Sequence, residues 1–143
     1  MDTILKYIDD LAHKNSEALS FIPMSKLEQY AEAGQILVQY ENDDPCGFLI
    51  YGLGWPTMKV YQECIQYDAR RRKNGLELIS KLIAAAESRK CSRIVLWCAD
   101  DLPANEFWRA AGFCFAGQRD GGSRRGRKHN LWRMELSLFR GAA

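Results

Sequence analysis

A strand–helix–strand pattern in the middle of the chain restricts the fold more than any other feature of the sequence. Residues 57–67 alternate as in a strand, residues 75–89 follow a helical period, and residues 94–98 form a short apolar run. The predicted buried stripe of the helix consists of Leu76, Ile79, Ile83 and Ala86. Strands connected by a helix pair in parallel, so the pattern predicts a βαβ crossover over residues 57–98.

The residues before the crossover predict a β-hairpin. Ile36, Val38 and Tyr40 alternate with more polar neighbours, and the turn-forming residues 41–45 lead into the apolar run 46–51. A second turn is expected over residues 52–56, which contain two glycines and a proline.

Three further helices are predicted from apolar spacing and end signals. Residues 3–13 place apolar side chains on one face. The second helix is expected to begin at the capping box Ser25–Glu28 and to end at Gly34. Another is expected to open at Asp101–Pro103 and to end at Gly112.

A final antiparallel strand pair is predicted from residues 113–116 and 131–138, with a Gly- and Arg-rich loop between them. Within the strand 57–67 the apolar side chains change parity, which predicts a β-bulge between Tyr61 and Cys64. Together these elements predict one α/β (α+β) domain over residues 1–143, with a mixed sheet of about six strands flanked by helices.

The composition excludes several classes of protein. With 143 residues, 47% hydrophobic and 27% charged, the chain has the balance of a single soluble domain. Its five cysteines lack CxxC spacing and lie in apolar runs, which predicts reduced, buried thiols. Two distant histidines predict no metal site, and the absence of a signal peptide or long apolar stretch predicts a cytoplasmic protein without a membrane segment.

The formal net charge of +2 hides an uneven distribution. Arg70–Lys73 are four consecutive cations, and residues 119–133 carry six Lys and Arg against one Asp, so the rest of the chain is acidic. The first run lies between a predicted strand and a predicted helix, where free backbone amides bind phosphate oxygens. A solvated basic turn is the alternative interpretation, and the nucleotide-triphosphatase P-loop is excluded because its spacing is absent.

Two segments resemble motifs of the GNAT superfamily (Gcn5-related N-acetyltransferases). Residues 70–75 are similar to the motif [QR]-x-x-G-x-[GA], and residues 104–113 are similar to A-x-x-[FL]-[YW]-x-x-x-G-F. Residues 67–72 and 96–99 also resemble short acetyltransferase-like proteins of phages and prophages. The resemblance implies a GNAT fold and an N-acetyltransferase that uses acetyl-CoA and acts on an unidentified amine acceptor.

The resemblance also implies a binding site for acetyl-CoA. Its pyrophosphate would lie on the amides of residues 71–76, and its pantetheine arm would lie between the strands 57–67 and 94–98. The backbone amides near Cys64 and Ile65 would pair with pantetheine and polarise the thioester carbonyl. The complete expected cofactor set is Cys64, Ile65, Arg70, Arg71, Arg72, Lys73, Asn74, Gly75, Leu76 and Trp108.

Acyl transfer to an amine requires a neutral nucleophile, and therefore benefits from a general base. Glu63 is the first candidate, with a solvated strand carboxylate as the alternative interpretation. Asp100 and Asp101 are weaker candidates, and Asp101 is alternatively a helix cap.

Two residues depart from the family pattern. Lys73 occupies the position of the first motif glycine, so the loop must accommodate a side chain there. Trp108 stands where many members have a tyrosine that protonates the leaving thiolate, and an indole N–H is not a practical acid. Another residue or water therefore supplies this proton, or the fold serves as a non-catalytic protein binder.

The second basic stretch, residues 119–133, suggests a different class of function. A cationic hairpin ending near Trp132 is suited to nucleic-acid phosphates, a CoA phosphate or an acidic substrate, with a solvated loop as the alternative. This predicts a nucleic-acid-binding or base-modifying protein as the second hypothesis, and a homodimer is also considered. The candidate contact residues are Arg119, Arg124, Arg125, Arg127 and Lys128.

Overall fold

A computed structural model describes residues 2–121 and 126–136. The helices are α1 (Asp2–Lys14), α2 (Met24–Glu32), α3 (Asn74–Ser88) and α4 (Ala104–Ala110), with a short 3-10 helix at Tyr67–Ala69. The strands are β1 (Ile36–Glu41), β2 (Asp44–Gly54), β3 (Thr57–Ile65), β4 (Arg93–Ala99), β5 (Cys114–Asp120) and β6 (Lys128–Glu135). In this part of the chain, no helix combines the length and apolarity needed to cross a membrane.

The six strands form one mixed sheet in the order β1-β2-β3-β4-β6-β5. β1 pairs with β2, and β6 pairs with both β4 and β5, all antiparallel. Thr57–Lys59 of β3 pair in parallel with Arg93–Val95 of β4. These two strands are connected through α3, so the predicted crossover and the mixed α/β architecture are confirmed.

Contacts divide the chain into two compact units, Met1–Tyr51 with Gln62–Leu82 and Gly52–Tyr61 with Ile83–Ala143. The expectation of a single domain stays a prediction. The first unit has an apolar core to which α1, α2, β2 and β3 contribute. Its buried side chains are Leu5, Ile8, Leu11, Leu27, Phe48, Ile50 and Cys64.

The hairpin of β1 and β2 is tighter than predicted. Asn42 and Asp43 alone form its turn, and their φ angles of 53° and 69° match the type I′ turn that fits the strand twist. β2 also continues to Gly54, beyond the start of the second predicted turn at residue 52.

The helix α2 begins earlier than its predicted capping box. Pro23 precedes its first residue and no side chain caps it, so Ser25 lies inside the helix and its capping role is wrong. The predicted end is confirmed, because Gly34 has a φ of 72° and the Gln35 amide donates to the Tyr30 carbonyl at 2.9 Å. This is the Schellman arrangement, which glycine favours.

Two predicted burial patterns in the crossover need correction. β3 ends at Ile65 rather than at residue 67, and Tyr67 is 85% exposed. Side-chain burial along β3 alternates without a break from Met58 to Cys64. This burial pattern gives no support to the predicted β-bulge between Tyr61 and Cys64, and the bulge stays a prediction. On α3, Leu76 is 49% exposed instead of buried. The fully buried side chains of α3 are Asn74, Leu78, Ile79, Leu82 and Ala86.

In the second unit, a buried amide joins α4 to two strands. The side chain of Asn105 donates to the carbonyl oxygens of Ala99 and Leu102, each at 2.8 Å. Its Oδ1 accepts from Asn130 Nδ2 at 3.0 Å and from Trp132 Nε1 at 2.9 Å. Both amide protons and both acceptor positions of Asn105 are therefore used.

The last two strands extend into the predicted Gly- and Arg-rich loop. β5 continues to Asp120 and β6 begins at Lys128, so much of the second basic stretch is strand rather than loop. All five cysteines are free thiols, and four are buried, but Cys114 is exposed, contrary to the prediction.

Replacing Asn105 by Ala is expected to lower the free energy of unfolding by about 2–4 kcal/mol, because its four side-chain hydrogen bonds are lost and the buried Trp132 indole N–H loses its acceptor. Urea denaturation measures this change. Glu106→Ala on the same helix is the matched control, since its ion pair with Arg109 is exposed and contributes less than about 1 kcal/mol. Equal losses in the two variants would contradict the structural role of Asn105.

Candidate active site

The loop that enters α3, residues 70–76, has an unusual backbone and is called the α3 entry loop below. Arg71 and Lys73 have φ angles of 64° and 70°, in the left-handed region that glycine favours. A residue with a side chain costs about 1–2 kcal/mol in this conformation. Lys73, at the position of the first motif glycine, therefore has a backbone conformation that glycine favours, and its side chain is accommodated at the cost of backbone strain.

The amides of the α3 entry loop are available to a ligand. Among residues 2–121 and 126–136, no hydrogen bond has the backbone N–H of residues 71–76 as its donor. The first intrahelical bond runs from the Glu77 amide to the Lys73 carbonyl at 2.9 Å. Free amides at the start of a 15-residue helix attract anions through their partial positive charge and the helix dipole.

Two of the four cations in the loop bind to the protein itself. Arg70 donates from Nε to the Ile65 carbonyl at 2.7 Å and from Nη2 to Asn15 Oδ1 at 3.2 Å. Arg72 donates from Nη2 and Nε to the two carboxylate oxygens of Glu41, at 2.6 and 3.1 Å. Both guanidinium groups therefore anchor the loop.

Asn74 connects the start of α3 to β1. Its Nδ2 donates to Glu41 Oε2 at 2.7 Å and to the Ala69 carbonyl at 3.0 Å. Its Oδ1 accepts from Gln39 Nε2 at 3.2 Å, which also donates to Glu77 Oε2 at 3.0 Å. Hydrogen bonds from Arg72 and Asn74 hold the pKa of Glu41 below its usual value. Asn74 is only 4% exposed, so it organises the loop from inside.

Sequence reasoning missed Gln39 and Glu41. Both lie on β1 at alternate positions, so their side chains share one face of the strand. A glutamine in an otherwise apolar, alternating strand was the available signal, because a buried amide needs polar partners. Gln39 is 2% exposed, and its Oε1 has no hydrogen-bond partner in the described residues.

Glu63 has an environment suited to proton transfer. It is half-buried on β3, and burial raises its pKa to about 7, with the nearby charge of Arg70 opposing the rise. Within the described ranges, no side chain donates a hydrogen bond to its carboxylate. A carboxylate with a pKa near neutrality exists as both acid and base at physiological pH.

The neighbouring Cys64 belongs to the core. Cys64 is 5% exposed, and burial raises the pKa of its thiol to about 11, so the thiol stays protonated at neutral pH. Gly47 of β2 passes this point closely, since a Cβ there would lie 2.8 Å from the Cys64 carbonyl oxygen. The predicted pairing of the Cys64 and Ile65 amides with a ligand stays a prediction.

The other candidate acids are placed differently. Asp100 and Asp101 are exposed, and Asp101 forms an ion pair with Arg127 at 3.2 Å. Asp101 does not cap α4, whose N-cap is Pro103 and which has no side-chain cap.

Trp108 packs in the core of the second unit. It is 5% exposed, and its ring meets those of Phe107 and Phe113 edge to face, with centroids 5.1 and 5.3 Å apart. This packing explains an aromatic residue at the position without any contact to a cofactor. The expected cofactor contact of Trp108 stays a prediction.

The candidate cations of the second basic stretch are engaged by neighbours. The Arg119 guanidinium lies 4.0 Å from the centroid of the Trp97 ring, a cation–π contact. Lys128 pairs with Asp120 at 3.1 Å, and Arg127 is the partner of Asp101. Arg124 and Arg125 lie outside the described residues. The nucleic-acid hypothesis therefore stays a prediction without support from these contacts.

In the described chain, no three His, Cys, Asp or Glu side chains are grouped so that they could hold a metal ion. The candidate site consists of the α3 entry loop and Glu63, both in the first unit.

Replacing Lys73 by Gly is expected to raise the free energy of unfolding by about 1 kcal/mol relative to Lys73→Ala. Both variants remove the same charge, but only glycine relieves the left-handed backbone. Urea denaturation of the two variants measures the difference. An alanine variant as stable as the glycine variant would contradict the assigned strain.

Comparison with known proteins identifies the relatives of this chain. The profile of the Acetyltransferase (GNAT) family matches residues 5–113. Ard1 from Thermoplasma volcanium is 14% identical, with a TM-score of 0.80 over 93% of this chain and 92% of that chain. The ribosomal-protein-S18-alanine N-acetyltransferase from Escherichia coli is 17% identical, with a TM-score of 0.73 over 96% and 90%.

An aminoglycoside 6'-N-acetyltransferase complexed with coenzyme A is 13% identical, with a TM-score of 0.79 over 93% of this chain and 91% of that chain. A comparison with curated protein sequences gives no match. The solved structures share the fold, and the family profile covers most of the sequence. The chain therefore belongs to the GNAT family of acetyltransferases.

Proposed function

We propose that the protein transfers an acetyl group from acetyl-CoA to an amine. The observation that carries this proposal is the α3 entry loop, where the amides of residues 71–76 have no acceptor in the described chain. A diphosphate offers the anionic oxygens that such amides bind, and the exposed cations Arg71 and Lys73 add charge. The residues present therefore fit the phosphates of CoA.

Bound acetyl-CoA supplies an acyl group activated as a thioester. Transfer forms a bond between the acceptor nitrogen and the carbonyl carbon, breaks the carbon–sulfur bond, and releases one proton from the amine. Glu63 is the proposed acceptor of this proton, because a pKa of about 7 leaves much of it ionised at neutral pH. Glu63 then releases this proton to solvent, and the departing sulfur takes up a proton from water or from another residue, since the indole of Trp108 is not a practical acid.

The remaining cofactor contacts are proposals of the same kind. The amides of Cys64 and Ile65 would hold the pantetheine arm along β3 and polarise the thioester carbonyl. Leu76, half-exposed on the first turn of α3, offers an apolar surface beside the phosphates. Gly75 lets the backbone approach the ligand closely.

We propose an amine as the acceptor without naming its molecular class. Similar structures include an enzyme named for a ribosomal protein and one named for aminoglycosides, so fold similarity selects no acceptor class.

Isothermal titration with acetyl-CoA tests the proposal. We expect saturable binding, followed by thiol release when peptide amino termini, lysine peptides and aminoglycosides are offered as acceptors. No binding at millimolar acetyl-CoA would contradict the proposed function.

The rate of thiol release is expected to rise with pH and to level off above about pH 7, because Glu63 must be ionised to accept a proton. Glu63→Gln should lower the rate about 100-fold or more and remove this rise. A glutamine variant that keeps the wild-type rate and pH profile would exclude Glu63 as the base.

Stability provides an independent check on the same group. The folded protein binds the Glu63 proton more tightly than the unfolded chain, so wild-type stability should fall as pH rises from about 4.5 to about 7. Glu63→Gln cannot ionise and should lack this fall. Parallel stability curves for the two proteins would contradict the raised pKa.

A further inference from the structure

We propose that the four consecutive cations of the α3 entry loop have alternating roles: Arg70 and Arg72 position the loop, whereas Arg71 and Lys73 contact the phosphates of CoA. This inference rests on the proposed function and assigns the side chains within its binding site. It differs from an interpretation of the run as one uniform basic patch.

Arg70 and Arg72 already have partners that fix their guanidinium groups. Arg70 bonds to the end of β3, through the Ile65 carbonyl, and to Asn15 just after α1. Arg72 forms a bidentate ion pair with Glu41 at the end of β1. The Glu41 carboxylate offsets the charge of Arg72 and occupies its Nε and one Nη2 donor, so Arg72 attracts a second anion less strongly than an unpaired arginine does.

Arg71 and Lys73 differ from Arg70 and Arg72 in their side-chain partners and in their backbone conformation. Both are exposed, and within residues 2–121 and 126–136 neither side chain has a hydrogen bond or ion pair. Both occupy left-handed backbone on either side of Arg72. The two unpaired cations thus lie in the same six-residue segment as the free amides.

The alternating roles of the four cations predict that the site recognises the phosphate groups of CoA. Two exposed cations without a partner in the described residues, together with a row of free amides, favour a ligand that carries several phosphate oxygens over an acylated pantetheine that carries none. The protein should therefore bind CoA more tightly than S-acetylpantetheine, and Arg71 and Lys73 should account for much of this preference.

Four single variants of the full chain test the division: Arg70→Gln, Arg71→Gln, Arg72→Gln and Lys73→Gln. Each removes one charge, so every variant is a matched control for its neighbour. CoA and S-acetylpantetheine are titrated into each protein at several NaCl concentrations, and the thermal midpoint of unfolding is recorded. Arg72→Lys is added because it keeps the charge but loses the bidentate geometry.

Arg71→Gln and Lys73→Gln are expected to weaken CoA binding about tenfold each and to flatten its salt dependence, with unchanged thermal midpoints and unchanged binding of S-acetylpantetheine. Arg70→Gln, Arg72→Gln and Arg72→Lys should lower the midpoint and leave the salt dependence of CoA binding as steep as in the wild type.

The proposal is overturned if Arg72→Gln flattens the salt dependence as much as Arg71→Gln does. Unchanged CoA affinity in both Arg71→Gln and Lys73→Gln overturns it as well, provided that the wild type binds CoA. A wild-type protein that does not bind CoA overturns the proposed function itself, and the two failures are thereby distinguished.

Discussion

The buried amide of Asn74 decides where α3 begins and hence whether a row of free amides exists. Its bonds to Glu41, to the Ala69 carbonyl and to Gln39 hold the first residue of α3 against β1. A buried, fully bonded amide is costly to displace, which allows two neighbouring residues to keep left-handed backbone. The candidate anion site is thus a consequence of packing between one strand and one helix.

Much of this arrangement could be predicted from local patterns. The period of two in β1, the apolar run of β4 and the helical stripe of α1 depend on neighbours a few residues away, and the crossover follows from their order. The buried face of β1 is not the one that its apolar residues favour, because Gln39 is 2% exposed and Tyr40 is 45% exposed. The pairing of Arg72 with Glu41 could not be predicted, because its partner lies 31 residues earlier and no local period reports it. The predicted capping box also misses the start of α2, because no side chain caps this helix and its first intrahelical bond runs from the Leu27 amide to the Pro23 carbonyl.

The same contrast applies to the site. Arg70–Lys73 stand out in the sequence as one charge run, but charge alone does not separate a ligand contact from an anchor. The position of Glu63 on its strand makes it a candidate general base in the sequence. Its partial burial adds a physical reason for that role, because burial raises its pKa to about 7. A motif match alone does not assign a role to Trp108, because its edge-to-face packing against Phe113 accounts for an aromatic residue there without a catalytic role.

In the proposed function, the amides of residues 71–76 hold the diphosphate of CoA. Backbone N–H chemical shifts recorded by NMR during a titration with CoA test this directly. We expect saturable shifts that are largest for residues 71–76, since these amides would gain a charged acceptor. Saturable binding that leaves these six amides unshifted would contradict it.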